Sequence, residues 1–280
     1  MATISHEVFQ GYPCVRITLD GGDSALVALH GAHVLSWTSR GRERLYLSPG
    51  TVWDGHAAIR GGIPVCFPQF NMRGDLPRHG FVRNLPWSLA TDFAQGSGGT
   101  LRMRLASDAA THALWPHDFA ISLDISLAPG QFTITLDVHN PGAHDLHFSG
   151  ALHTYLAVSD LPNAALVGLA GQAEWDAVRD THGVGAERLQ FSERFDRVYA
   201  APAGALHLQD PSGPVEISRS PSWANWVVWN PGEELSNTMP DLVPDSYQHM
   251  LCVEAAQVFE KIAVPPGAHW QGWQRMRLAD

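Results

Sequence analysis

The stretch FAISLDISLAPGQFTITLDV, residues 119–138, constrains the fold of this chain more than any other part of it. Phe119, Ile121, Leu123, Ile125 and Leu127 fall on one side and Ser122, Asp124 and Ser126 on the other. That period of two belongs to a half-buried strand and cannot be reproduced by a helix. Ala128-Pro129-Gly130-Gln131 supplies turn chemistry, and Phe132, Ile134, Leu136 and Val138 then repeat the alternation against Thr133, Thr135 and Asp137. The segment predicts an antiparallel hairpin. Leu101, Met103 and Leu105 alternate with Arg102 and Arg104, and shorter strands are expected at VRITL from Val15, ALVALHG from Ala25, RLYL from Arg44, ALHLQD from Ala205 and WVVW from Trp226.

Helices are scarce by the same reading. Gly61–Gln69 is punctuated by Gly62, Pro64 and Pro68, and Asp241–Met250 is broken by Pro244, so even the best candidates are short. Short strands separated by Gly and Pro turns point to an all-β, antiparallel sandwich or barrel rather than parallel αβ units. With 280 residues the chain can bury roughly 70–75% of its unfolded surface, enough for a core without disulfides or a structural metal. No linker or repeat divides it; the Gly-rich piece Gln95–Thr100 has hairpin-loop length, and residues 1–280 are expected to form a single domain.

Charge and cysteine content narrow the function classes. A net charge of -10 repels nucleic acid and anionic lipid, so any anionic ligand needs a local basic pocket. Cys14, Cys66 and Cys252 are far apart, odd in number and without a CxxC, which fits a reducing compartment. MATISHEVFQ has neither a basic nor an apolar leader region and no apolar run reaches eighteen residues, so a soluble, cytoplasmic protein is expected. Asp20, Asp23, Asp124 and Asp137 flank strands or sit on their polar faces and read as surface. The ten tryptophans, among them Trp223, Trp226, Trp229, Trp270 and Trp273, can serve as core filler or as platforms for a sugar ring.

Unusual chemistry gathers in AIRGGIPVCFPQF and LPRHGFVRNLPW. Arg60, Arg73, Arg78 and Arg83 crowd this stretch of a chain with few basic groups, amid Gly and Pro that favour ordered irregular backbone. Guanidinium forks match phosphate or carboxylate oxygens, although each arginine could instead pair with one of the 28 acidic residues. Two further residues are out of place. His153 lies in the apolar segment GALHTYLAV, and Glu254 is a carboxylate inside the apolar run MLCVEAAQVF, where burial without a partner costs several kcal/mol or raises its pKa. His139, His144, His147 and His153 lack the HxH spacing and following carboxylate of a metal cupin, so no metal is expected. Gly-x-Ser-x-Gly, Gly-x-Gly-x-x-Gly and P-loop patterns are absent.

These segments, with DRVY around Asp196, VVWNPG and VPPGAHW, resemble in order the motifs of the glucose-6-phosphate 1-epimerase family, the hexose-6-phosphate mutarotases of the aldose 1-epimerase superfamily. The resemblance implies the large antiparallel β-supersandwich of galactose mutarotase type. It implies His153 and Glu254 as the catalytic pair, Arg60 and Arg83 at the sugar phosphate, and His79, Asp196 and, from the same loop, Gln69 along the sugar site. The family often carries a bulky aromatic after WNP where this chain has Gly232, which implies a different wall of the pocket. The implied reaction opens and recloses the pyranose of a hexose 6-phosphate, exchanging its anomers without a cofactor, in a protein that works as a monomer on a small molecule. Two rivals accompany it: an aldose 1-epimerase for unphosphorylated sugars, and a carbohydrate-binding protein without turnover. A two-carboxylate glycosidase would need a second acid near Glu254.

Overall fold

The computed structural model describes residues 2–90, 99–200 and 204–279. Residues 95–98 of the Gly-rich stretch lie outside them. The hairpin forms as Ala120–Ala128 and Gln131–His139, with Ala128 facing Gln131 and Ile125 facing Ile134, and buried residues alternate with half-buried ones along both strands. Gly130 takes φ +68° in the two-residue turn, a left-handed conformation that glycine adopts without steric cost.

The hairpin sits inside a nine-stranded sheet, between His269–Leu278 on one side and Thr100–Ala106 on the other. Facing it is an eight-stranded sheet whose middle strand, Met250–Val264, pairs with Asn225–Asn230 and with Leu146–Leu152. A third sheet of five strands holds residues 2–43. Among the described residues every pairing between these strands is antiparallel, and one isolated parallel bridge joins Phe67 and Gly80. Leu123, Ile125, Ile134 and Leu136 from the first sheet join Phe148, Trp226, Val228, Leu251 and Val253 from the second in one continuous core. Each such side chain contributes about 1.5–3 kcal/mol on burial.

One buried polar bridge crosses that core. Thr154 Oγ1 donates to Gln274 Oε1 at 2.6 Å, and Gln274 Nε2 donates to the Val253 carbonyl at 2.8 Å. The strand beneath Glu254 is thereby tied to the sheet behind it.

The strands expected at Val15, Ala25, Leu101, Ala205 and Trp226 are present, as Tyr12–Leu19, Ser24–Ala28, Thr100–Ala106, Leu206–Gln209 and Asn225–Asn230. RLYL is only bridged, at Leu45 and Leu47. Helices are as scarce as expected, and neither of the best candidates is one: Gly61–Gln69 carries the short strand Val65–Cys66, and Asp241–Met250 the 3-10 turn Ser246–His249. Among the described residues the α-helices are Ala109–Leu114, started by an Asp108/Thr111 capping box, and Gly232–Ser236. Asp23 is corrected too: it is 5% exposed and accepts from Ser39 Oγ at 2.9 Å and from the Gly130 N–H at 2.6 Å, clamping the hairpin turn. Cys14, Cys66 and Cys252 are free and buried.

Candidate active site

Met250–Val264 is buried on both faces through Val258. Leu251, Val253 and Ala255 point into the main core, which leaves Cys252, Glu254 and Ala256 on the opposite face of the sheet. Glu254 is 1% exposed, and the residue beside it on the neighbouring strand is Val227. One strand further, Phe195–Ala200 places Asp196 against Trp229 on this same face. His153 occupies the break between Leu146–Leu152 and Tyr155–Ala157, its N–H donating to the Pro64 carbonyl at 3.1 Å. Its Nδ1 lies 3.4 Å from Glu254 Oε1, within ion-pair reach but without a hydrogen bond. Glu254 Oε2 is also buried without a partner.

The Arg-rich loops complete the wall. Gly61 and Gly62 have φ +107° and +62°, and a Cβ on either would lie 2.3 Å from the Tyr46 carbonyl oxygen or 2.1 Å from that of Val34. Only glycine lets the loop approach so closely, and Gly62 then accepts from the Tyr155 N–H at 2.9 Å. Arg60 is thus brought to Tyr155. Its Nε donates to Asp241 Oδ2 at 3.0 Å, its Nη2 lies 2.9 Å from the same oxygen, and its Nη1 donates to the Tyr155 hydroxyl at 2.9 Å. Arg60 therefore does pair with an acid, yet it keeps donors for a ligand, since guanidinium has five.

His79 accepts from the Asn71 N–H on Nδ1 at 3.2 Å, which leaves Nε2 as the donor of the neutral ring. Arg83 Nη2 donates to the Arg78 carbonyl at 2.9 Å, and its Nε is buried without a partner.

A cavity of 320 Å³ joins these groups. His153, Glu254, Arg60, His79, Arg83 and Asp196 all line it, as do Arg73, Arg78 and Arg194. Gln69 does not. It is 4% exposed and braces the loop, its Nε2 donating to the Asn71 and Leu76 carbonyls at 2.9 and 3.1 Å while its Oε1 accepts from the Leu76 N–H at 3.1 Å. Gly232 is not a wall either. At φ +65° it lets the chain pass Arg194, whose backbone N would lie 2.5 Å from a Cβ there, and Arg194 lines the cavity. Trp229, which the sequence leaves as core filler or a platform for a sugar ring, lines the cavity; Tyr155, Trp175 and Asp241 are not marked by the sequence. Tyr155 was within reach, because it lies two residues beyond His153 in an extended segment and so shares its face.

Burial dominates the electrostatics. It drives the His153 imidazole well below its ordinary value, with His79, Arg60 and Arg83 adding to the effect. It drives the Glu254 carboxyl well above, helped by Asp196 and opposed by Arg78. Asp196 is raised by its own burial and His79 is lowered to about 2, first by burial and then by Arg83, Arg78 and Arg60. Burial thus favours the neutral form of both His153 and Glu254. Among the described residues no three His, Cys, Asp or Glu side chains are grouped to hold a metal ion, and no helix is long and apolar enough to cross a membrane.

A buried imidazole and carboxyl facing one cavity suit acid/base chemistry. The family model for aldose 1-epimerase matches residues 13–277. The chain belongs to the aldose 1-epimerase family. It is 36% identical over 253 residues to an Escherichia coli K12 protein named "Putative glucose-6-phosphate 1-epimerase", covering 88% of this chain and 84% of that one. The crystal structure of a "putative mutarotase" from Salmonella typhimurium superposes with a TM-score of 0.90 at 31% identity, over 99% of this chain and 94% of that one. A galactose mutarotase-like protein from Clostridium acetobutylicum shares the fold at 14% identity, with a TM-score of 0.77 over 99% and 98% of the two chains. The antiparallel β-supersandwich of galactose mutarotase type expected from sequence is the fold of this aldose 1-epimerase.

Proposed function

We propose that this enzyme is a glucose-6-phosphate 1-epimerase, exchanging the α and β anomers of a hexose 6-phosphate. The observation that carries the reading is the buried His153–Glu254 pair, 3.4 Å apart, in a cavity also lined by Arg60, Arg73, Arg78, Arg83 and Arg194. Five guanidiniums on a chain of net charge -10 make a local site for an anion, and the E. coli relative's name points to the same sugar phosphate. Arg60 and Arg83 anchor the phosphate, while His79 and Asp196 meet the sugar. Gln69 supports the loop from behind.

In the reacting form Glu254 is a carboxylate and His153 an imidazolium. This form has the same number of protons as the neutral pair, so one proton passing from Glu254 to His153 creates it without any from solvent. Glu254 takes the proton of the anomeric hydroxyl as His153 gives one to the ring oxygen. The C1–O5 electron pair leaves with O5, and C1 becomes an aldehyde carbon. Rotation about C1–C2 presents the other face. The O5 hydroxyl then attacks C1, His153 removing its proton while Glu254 returns one to O1. Each positioned proton transfer contributes roughly 10²–10⁴-fold, and the phosphate anchor orients a small hydrated sugar without touching the bond that breaks.

The test is anomer-exchange NMR on equilibrated glucose 6-phosphate and on glucose. Exchange well above buffer background for the phosphate and little for the free sugar is the expected result. Equal rates would make the enzyme an epimerase of unphosphorylated aldoses, and binding without exchange in either case would make it a carbohydrate-binding protein.

A further inference from the structure

Catalytic imidazoles are commonly aimed by a hydrogen-bonded carboxylate or carbonyl on the second ring nitrogen. His153 has no such partner on Nδ1. Its plane is instead set by rings. Tyr155 lies parallel to it, with centroids 4.8 Å apart and planes inclined by 8°, while His79 and Trp229 approach nearly edge-on at 5.4 and 6.3 Å. Tyr155 is only 2% exposed and its strand is paired to Cys252, so the ring is a fixed surface. The other end of the same side chain accepts from Arg60 Nη1, and Asp241 holds that guanidinium from its Nε side.

We propose that Tyr155 is a positioning residue with two separable functions: its ring orients His153 and favours the imidazolium, and its hydroxyl sets Arg60 for the anionic end of the substrate. The groups facing His153 explain why the ring matters. Burial and the Arg60 and Arg83 guanidiniums oppose protonation of the imidazole, His79 beside it is a neutral ring, and Glu254 is the acid next to it. An aromatic face stacked on the imidazole attracts the cation and works in the opposite direction. The inference rests on the acid/base reading of His153 given above, and it adds a second residue through which phosphate recognition and proton transfer meet.

The experiment combines exchange kinetics with NMR titration of the His153 ring in histidine-labelled protein, for the wild type, Tyr155→Phe and Tyr155→Leu. Tyr155→Phe keeps the ring and loses the hydroxyl: KM for the hexose 6-phosphate should rise about three- to tenfold with kcat within about twofold, and the His153 titration should not move. Tyr155→Leu loses both. Its kcat should fall about tenfold or more, and His153 should titrate about half a unit to one unit lower. Wild-type kcat and titration in a folded Tyr155→Leu would overturn the role of the ring, and an unchanged KM in Tyr155→Phe would overturn that of the hydroxyl. Should Tyr155→Leu not fold, Tyr155→Phe decides alone, because a fall in kcat or a moved titration there contradicts the separation. If the wild type exchanges neither phosphorylated nor free hexoses, the reaction assigned to the site fails, and the titration still decides whether Tyr155 governs His153.

Discussion

The hairpin Ala120–His139 and the strand Met250–Val264 are built from similar apolar residues and do different work. In the hairpin one face is buried and the other half-exposed, where Asp124 pairs at 2.6 Å with Arg102 of the adjacent strand Thr100–Ala106. In Met250–Val264 both faces are covered as far as Val258, one by the main core and one by the side of the sheet that carries the cavity. A charge on the hairpin's outer face is solvated and inexpensive. On the second strand it is desolvated, and burial raises the Glu254 carboxyl well above its ordinary range. The difference teaches that a carboxyl matters by what surrounds it, and that the same sandwich supplies both settings.

The largest expected effect breaks the comparison at its centre. Glu254→Gln keeps shape and neutrality but cannot accept the anomeric proton, so kcat for anomer exchange should fall by about 10²–10⁴-fold while sugar phosphate still binds. Full exchange activity in that folded variant would remove Glu254 as the base. Leu123→Ala is the counterpart in the hairpin. Leu123 is fully buried, and truncation should cost about 2–5 kcal/mol in denaturant unfolding with kcat of the folded fraction unchanged. A loss of kcat without a loss of stability would mean that the hairpin is no mere scaffold.

This contrast also explains what was legible in the sequence. Alternation records a strand with one wet face, so the hairpin could be read directly. Where both faces are buried the period vanishes, and Met250–Val264 was marked only by Glu254, as a residue out of place. His153 was marked in the same way, and the carried-over motifs joined the two. Gln69 shows the limit of such transfer: Phe70 and Asn71, which follow it, line the cavity while its amide turns back to hold Leu76. Asp23 read as surface because its partners, Ser39 and Gly130, are distant in sequence. Asp241 eluded sequence reading likewise, its partner Arg60 being far up the chain. Tertiary pairing of that kind leaves no local pattern.

Burial of Glu254 also has a thermodynamic signature that the hairpin lacks. Below the ordinary carboxylate range both the folded and the unfolded chain hold its proton, and nothing is lost. Above that range the unfolded chain ionises while the folded one does not, so stability declines with rising pH up to the raised folded value, at about 1.4 kcal/mol per pH unit. Glu254→Gln removes that decline. Its melting temperature should equal that of the wild type near pH 4.5 and exceed it at pH 8; coincident curves at both would mean that Glu254 is already ionised in the folded enzyme.

The smallest effects come from two ion pairs with the same chemistry. Arg60 and Asp241 meet at the cavity, with side chains 24% and 21% exposed; Arg102 and Asp124 meet on the hairpin, 28% and 19% exposed. Solvent access is therefore nearly equal, and it cannot make one pair functional and the other not. What differs is the neighbourhood: Arg60 lines the cavity and also reaches Tyr155, whereas Arg102 lies on the back sheet. Arg60→Ala should raise KM for the hexose 6-phosphate by about tenfold or more, the worth of one or two charged hydrogen bonds, with a smaller loss in kcat. Arg102→Ala should leave KM and kcat alone and shift unfolding by less than about 1 kcal/mol, as exposed pairs do. An unchanged KM for Arg60→Ala would take Arg60 out of phosphate recognition and leave Arg83, Arg78, Arg73 and Arg194 to account for it, whereas a raised KM for Arg102→Ala would move the anion's contacts to the other side of the molecule.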